Sequence, residues 1–290
     1  MTMHLACRAP FDWQRTLEFL DGRATPGVEN VSDGAYHRTL TVPEGHGLVR
    51  VALDATGEHL LLSVDGIDAR HHTRVAGVAA GVFDVDAPVD DVAKVLSKDK
   101  FLRGLLERFP GVRVPGAWDG FELTVRAILG QQISVKAATT LAGRIARRYG
   151  EKLAAGTPDS LDRLFPAPER LSKAALDDIG LVRSRAGTIR DVASAVVKGD
   201  IRFDAEQSPR EFRRALTSIR GIGEWTAQYV SMRALKDPDA FPDSDLGLIK
   251  AIAWPERVTP KDLRTRAEAW RPYRAYAAML LWNSLPGSGG

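Results

Sequence analysis

The chain has 290 residues, 44% of them hydrophobic and 27% charged, an ordinary globular composition with room for about two domains of roughly 150 residues. No apolar run approaches the roughly 18–20 residues of a membrane span, the start lacks a basic stretch followed by an apolar core, and the single cysteine, Cys7, cannot build an internal disulfide, a cysteine-rich zinc site or a four-thiolate cluster. A membrane protein is thereby excluded, no signal peptide is expected, and a reducing cytoplasmic compartment fits. The net charge of +3 is uneven: residues 1–100 carry 10 Lys and Arg against 15 Asp and Glu, the remainder 30 against 22.

Taken in order, residues 1 to 88 read as mixed structure. Phe11 to Leu20 has helical spacing with Asp12 as its N-cap. Tyr36–Val42, Gly47–Leu53 and His59–Val64 then read as strands, separated by the turn chemistry of Pro43-Glu44-Gly45 and Asp54-Ala55-Thr56-Gly57. Short turns between successive strands predict an antiparallel sheet packed with one or two helices.

From residue 88 onward the pattern is helical. Asp90–Phe109 predicts one helix or a pair, ended by Pro110-Gly111, and Asp119–Tyr149 two helices broken near Gly130. Further helices are expected from Ser160, from Ser172, over Arg185–Lys198, after Pro209, and over Glu224–Leu235, Leu246–Ala253, Pro260–Trp270 and Tyr273–Leu285. No repeat appears, and the only biased tract is the Gly-Ser-Gly-Gly tail. The expected fold is α+β: an N-terminal domain (1–88) with an antiparallel sheet, a helical subdomain from 89–118 plus 238–290, and a helical subdomain over 119–237.

Basic charge in the later part fits a polyanionic partner and equally an ordinary soluble basic surface. All six histidines precede residue 73, so acid–base chemistry in that part must rest on carboxylates. Its most informative segment is 216–235, which opens Leu216-Thr217-Ser218-Ile219-Arg220-Gly221-Ile222-Gly223-Glu224-Trp225-Thr226. One helix ends near Ile219–Arg220, two glycines flank Ile222, and another helix begins. The glycines allow positive φ and close backbone approach, and Ile222 can plug the junction. The free amides of the new helix then form an anion site suited to a nucleic-acid phosphate, gripped without reading sequence.

The whole string resembles the helix–hairpin–helix of DNA repair glycosylases. Three further blocks occur in the family's order: Pro10-Phe11-Asp12-Trp13, Phe121 to Val135, and Trp270-Arg271-Pro272-Tyr273-Arg274-Ala275-Tyr276. Together they resemble the DNA-3-methyladenine glycosylase II, or AlkA-type, branch over nearly the whole chain.

The resemblance implies one essential aspartate in the loop after the hairpin. Asp245 matches that slot, 20 residues after Trp225 and just before the helix opening at Leu246; it can also serve as that helix's N-cap, and Asp243 reads as a turn residue. The resemblance further implies a base pocket, here from Trp225, Tyr229, Trp282, Phe19, Leu246 and Gln131. DNA contacts would come from Gly221, Gly223, Thr226, Gln132 and Ser134, with Gln132 filling the space left by a flipped base. Leu246 stands where relatives can carry an aromatic ring, and Gln132 where the wedge is often aliphatic.

Where strand-cutting members carry a lysine nucleophile this chain has Trp225, so no Schiff base can form at that slot. The reading is a monofunctional glycosylase: it flips a 3-methyladenine or 7-methylguanine type base out of damaged duplex DNA, uses Asp245 and water, and leaves an abasic site. It is expected to be a monomer needing no cofactor and no metal beyond a structural monovalent cation on the carbonyls of Thr217, Ile219 and Gly221. The alternatives are a glycosylase for deaminated or oxidised purines and a non-catalytic lesion-binding helix–hairpin–helix protein.

Overall fold

The computed structural model describes residues 2–153, 160–204, 207–252 and 258–285. Five strands form one antiparallel sheet in the order β1-β5-β4-β3-β2: β1 (Thr2–Ala6), β2 (Glu29–Ser32), β3 (Ala35–Val42), β4 (Gly45–Leu53) and β5 (His59–Asp65). Their alternation buries Tyr36, Val49, Val51, Leu60, Leu62 and Val64 on one face. Two helices accompany the sheet, α1 (Trp13–Asp21) and α2 (His72–Val82). Asp12 caps α1 by accepting from the Arg15 amide.

The remaining helices are α3 (Val89–Leu96), α4 (Lys100–Arg108), α5 (Gly120–Leu129), α6 (Val135–Tyr149), α7 (Pro168–Leu171), α8 (Arg183–Lys198), α9 (Pro209–Thr217), α10 (Glu224–Ala234), α11 (Leu246–Ile252), α12 (Pro260–Ala267) and α13 (Arg274–Asn283). Five of these begin on a side-chain cap. Asp99, Asp119 and Ser134 cap α4, α5 and α6, and Ser208 with Glu211 and Thr259 with Asp262 build capping boxes for α9 and α12.

The structure departs from the sequence reading at several elements. Edge strands β1 and β2 and the helix α2 lie outside the predicted set; α2, His-Thr-Arg-Val-Ala-Gly-Val-Ala-Ala-Gly-Val, is built of small residues with little amphipathic contrast. No helix starts at Ser160. That stretch is extended, bridging Lys152 through Arg163, whose amide donates to the Gly27 carbonyl (2.9 Å). After Ser172 there is only a 3₁₀ turn, Leu176–Ile179, and α9 ends at Thr217, short of Ile219. Ala253 and the Gly-Ser-Gly-Gly tail lie outside the described residues. Among the described residues no helix is long and apolar enough to cross a membrane.

Apolar side chains gather in two cores. One joins the sheet, α1 and α2 to α3, α4 and α11–α13 through Phe83, Leu96, Leu102, Leu248, Leu263 and Trp270. The other, whose buried members run from Phe121 to Val230, joins α5, α6, α8, α9 and α10. Helix α10 belongs to both, giving Ala227 and Val230 to the second and Met232 to the first. Helix α5 is buried almost all round. Its Glu122 pairs with Arg38 of β3 and accepts from Thr25 Oγ1 (2.8 Å), so a buried charge pair joins sheet to helices. Breaking one partner of such a pair leaves an uncompensated buried charge.

Asp99 fastens α4 to the C-terminal helices. It accepts from the Phe101 amide (2.9 Å), twice from Arg266 (2.9 Å each) and from the Trp270 indole (3.1 Å). Burial alone would raise its carboxyl, but these donors, Arg266 foremost, hold it down at about 2. A depressed carboxyl stabilises the fold above its ordinary value near 4, and that contribution is lost as pH falls through about 2. With Arg266 partly in solvent, Asp99→Asn is expected to cost about 1–2 kcal/mol at neutral pH. In urea titrations the gap between the two proteins should close near pH 2; a pH-independent gap would contradict this account.

Candidate active site

The turn between α9 and α10 is shaped by one glycine in particular. Gly221 has φ +92°, and a Cβ there would lie 2.3 Å from Thr188 Oγ1, so both conformation and space demand glycine. Gly223 instead has φ −96°, and a Cβ there would meet nothing within 4 Å. It is the N-cap of α10 and offers no side chain to cap the helix, so the first-turn amides of Glu224, Trp225 and Thr226 remain without a side-chain acceptor. Ile222 is buried in the second core, 6% exposed.

The loop between α5 and α6 is latched onto this hairpin. Gln131 Nε2 donates to the Gly221 carbonyl and to Thr226 Oγ1 (3.0 Å each), while the Gln131 carbonyl accepts from Arg185 (2.7 Å). Beside it Gln132 is exposed at φ +61°, a left-handed conformation uncommon for a residue with a side chain. Ser134 caps α6 through the Ala137 amide (3.2 Å). Gln131 is thus a structural tie that does not line the aromatic cavity, and Thr226, 2% exposed, has its hydroxyl engaged by that tie.

Across from the hairpin stands Asp245, immediately before α11. Its Oδ2 accepts from Trp225 Nε1 (2.8 Å); its Oδ1 accepts from Trp282 Nε1 (3.0 Å) and the Leu248 amide (3.0 Å). The carboxylate is therefore fixed by α10, α11 and α13 at once. Gly247 makes room for it, since a Cβ there would sit 2.9 Å from Asp245 Oδ1. Asp243, two residues earlier, is paired with Arg264.

Trp225 and Tyr229, one turn apart on α10, stack with centroids 5.4 Å apart and planes 4° from parallel; Trp282 meets Tyr229 edge-on at 6.2 Å and 68°. With Asp245 they line a cavity of about 320 Å³, at the small end of ligand sites. It opens past Trp225, Asp245, Gly130 and Ile133 into a wide cleft of about 830 Å³, bounded by Gly221, Gly223, Gln132, Ser134 and Leu246. Leu246, 72% exposed, faces that cleft and is absent from the aromatic cavity; successive residues at a helix start point about 100° apart, so it turns outward as Asp245 turns in.

Phe19 does not line the cavity either. It is 7% exposed, and the Arg23 guanidinium, one turn on, lies 3.9 Å over its ring, so arginine and not phenylalanine faces the space. The sequence reading missed this wall. Arg23, Arg126 and Arg233 line the inner end of the cavity around the Tyr229 hydroxyl, which accepts from Arg233 NH1 (2.9 Å). Burial pushes the Tyr229 phenol up, but Arg233 and Arg23 outweigh it and bring it down to about 8. Spacing held a signal, since Arg233 is i+4 from Tyr229 and Arg23 is i+4 from Phe19.

Residues 2–119 match the family model of the AlkA N-terminal domain, and residues 125–275 match the HhH-GPD superfamily base excision DNA repair protein model. The chain is 34% identical over 98% of its length to the probable bifunctional transcriptional activator/DNA repair enzyme AlkA of Mycobacterium tuberculosis, of which it spans only 57%. It is 34% identical to DNA-3-methyladenine glycosylase 2 of Escherichia coli, covering 94% of each. In fold it is similar to 3-methyladenine DNA-glycosylase from Archaeoglobus fulgidus, with a TM-score of 0.82 at 24% identity over 96% of this chain and 97% of that one.

The carboxylate clamp can be tested without any substrate. Gly247→Ala forces Asp245 Oδ1 to move, so both indole N–H proton resonances, Trp225 and Trp282, should shift while the far-UV circular dichroism stays unchanged. Unmoved resonances would show that the two indoles do not share that carboxylate.

Proposed function

The chain belongs to the HhH-GPD superfamily of base excision DNA repair proteins, and we propose that it is a monofunctional DNA glycosylase for alkylated purines of the 3-methyladenine and 7-methylguanine type, acting on duplex DNA as a monomer. One observation carries this reading. A single carboxylate, Asp245, is clamped by two indoles where an aromatic cavity opens into a cleft edged by the hairpin amides. The names of the Escherichia coli and Archaeoglobus fulgidus relatives support the substrate class.

The chemistry follows from the placement. A base inside a duplex must rotate out before its glycosidic bond is reached, at a cost of a few kcal/mol that is lower for a badly paired base. The amides at the start of α10 take a backbone phosphate, favoured by the helix dipole, and exposed Gln132 enters the gap in the stack. The base stacks among Trp225, Tyr229 and Trp282, whose π faces attract a methylated, cationic purine. Its sugar then lies at Asp245, whose negative charge stabilises the oxocarbenium-like transition state and orients the attacking water.

Supporting water as nucleophile, Trp225 fills the position after the hairpin where a lysine would be needed, and among the described residues no lysine lines the cavity or the cleft. The carbonyls of Ile219 and Gly221 each accept one hydrogen bond, from the Ile222 amide (3.1 Å) and Gln131 (3.0 Å), and each keeps a second lone pair. With Thr217 they would hold a monovalent cation beside the phosphate.

Incubated with methylated duplex DNA, the protein should release free 3-methyladenine and leave abasic sites that break only on alkaline treatment. Asp245→Asn should lower release at least about 100-fold while DNA binding persists. A wild-type protein that binds methylated duplex and frees no methylated purine would refute the assignment.

A further inference from the structure

Gln132 is held in a conformation that its own side chain disfavours. Among the described residues five other than glycine have positive φ, Asp33, Glu44, Asp84, Gln132 and Lys236, and of these Gln132 is the one that lines the wide cleft. Aspartate and asparagine enter the left-handed region more easily, because a short polar side chain can bond to nearby backbone, and glutamine lacks that help. A residue so placed persists only where its surroundings over-determine it. The last turn of α5 does not supply this, since the Gln131 amide reaches the Ile128 carbonyl only at 3.4 Å.

The constraint comes from α8. Arg185 donates to the Gln131 carbonyl (2.7 Å), and that oxygen belongs to the peptide unit joining Gln131 to Gln132. The unit is planar, so anchoring its oxygen also sets the direction of the Gln132 N–H, and with it φ at Gln132. One turn further along α8, the Thr188 hydroxyl donates between the carbonyls of Ser184 (3.1 Å) and Arg220 (3.0 Å), the latter in the hairpin. Residues three apart share a helix face, so Arg185 and Thr188 mount the Gln132 loop and the hairpin on one element. That element is fixed in turn, with Ala186, Ile189, Val192 and Ala193 buried in the second core. The Gln131 side chain closes the frame through the Gly221 carbonyl and Thr226.

We propose that Arg185 is a positioning residue for base flipping: by anchoring the Gln131–Gln132 peptide to α8 it presets Gln132 in its left-handed conformation, at a fixed span from the hairpin amides. This rests on the glycosylase reading above and deepens it, from the bond that breaks to the step that exposes it. Ordering a mobile side chain and its loop on binding costs free energy, and a preset one avoids that cost. The brace matters only where a base must be displaced from a stacked pair, and that displacement is easiest when the base pairs badly. A plain phosphate contact by the same guanidinium would instead weaken binding to every duplex alike.

The test separates these roles. Single-turnover release of 7-methylguanine would be measured from a duplex with cytosine opposite the lesion and from one with an abasic analogue there, for wild type, Arg185→Ala, Gln132→Asn and the two combined. Arg185→Ala should slow release from the paired duplex at least about tenfold and from the unpaired one less than about threefold. Asparagine takes up the left-handed region more easily, so in the Gln132→Asn background the loss of Arg185 should cost less than about threefold on either duplex. Equal losses on the two duplexes, or an undiminished loss in the Gln132→Asn background, would overturn the brace. A readout without DNA keeps it distinct from the glycosylase reading. A strong nuclear Overhauser effect between a residue's own amide and α protons marks a positive φ. Residue 132 should show it in wild type, lose it in Arg185→Ala and regain it in the combined variant, with the far-UV circular dichroism unchanged. That pattern supports the brace even if neither duplex releases a base, in which case only the glycosylase reading fails. A signal that survives Arg185→Ala undiminished would overturn the brace whatever the release assays show.

Discussion

Two indole N–H groups converge on one carboxylate, and the geometry of the whole site descends from that junction. Trp225 belongs to the helix after the hairpin, Trp282 to the last helix, and Asp245 to the loop that joins the intervening elements. A tryptophan has one donor and no acceptor, so each ring is oriented by the bond it makes. Placing both on Asp245 fixes the ring planes that wall the cavity and the carboxylate that guards its mouth in a single arrangement. The Leu248 amide adds the start of α11 to the same point. Charge-assisted bonds of this kind are stronger than neutral ones, which suits a site where the acid must not wander.

The clamp in turn depends on how the two cores meet. Helix α10 carries residues of both, so Trp225 and Tyr229 stand on a helix immobilised from two sides. The N-terminal sheet contributes more than a platform. Helix α1 delivers Phe19 and the residue just beyond it, Arg23, to the back of the cavity, and Thr25 ties that corner to Arg126 and Glu122. The aromatic cavity is thereby assembled from Arg23 just beyond α1, from α5, α6, α10 and α13, and from Asp245.

Local chemistry was legible in the sequence wherever a residue type has one structural use. Asp12 and Asp119 announce helix starts, Gly130 announces the break between α5 and α6, and the Gly-Ile-Gly turn announces the hairpin. The aspartate before α11 and the paired rings of α10 were visible through a family resemblance joined to helical spacing. What escaped was decided by long-range approach. Thr2–Ala6 becomes a strand because β5 offers it an edge, and residues 160–167 stay extended because Arg163 reaches Gly27. The arginine wall escaped for the same reason. An arginine on an amphipathic helix reads as solvated, and only the arrival of α1 and α5 beside α10 converts three such residues into an interior surface.

The two hairpin glycines answer to different masters. At Gly221 the chain's own atoms forbid a side chain, both by conformation and through Thr188. At Gly223 the backbone is ordinary and the space beyond it is open. The fold would accept a methyl group there at little cost, so the bareness of that position serves no internal contact. Any intolerance of a side chain at Gly223 would therefore be a measure of how closely another molecule presses against the start of α10. In that sense residue 223 is a gauge of the complex built into the free protein.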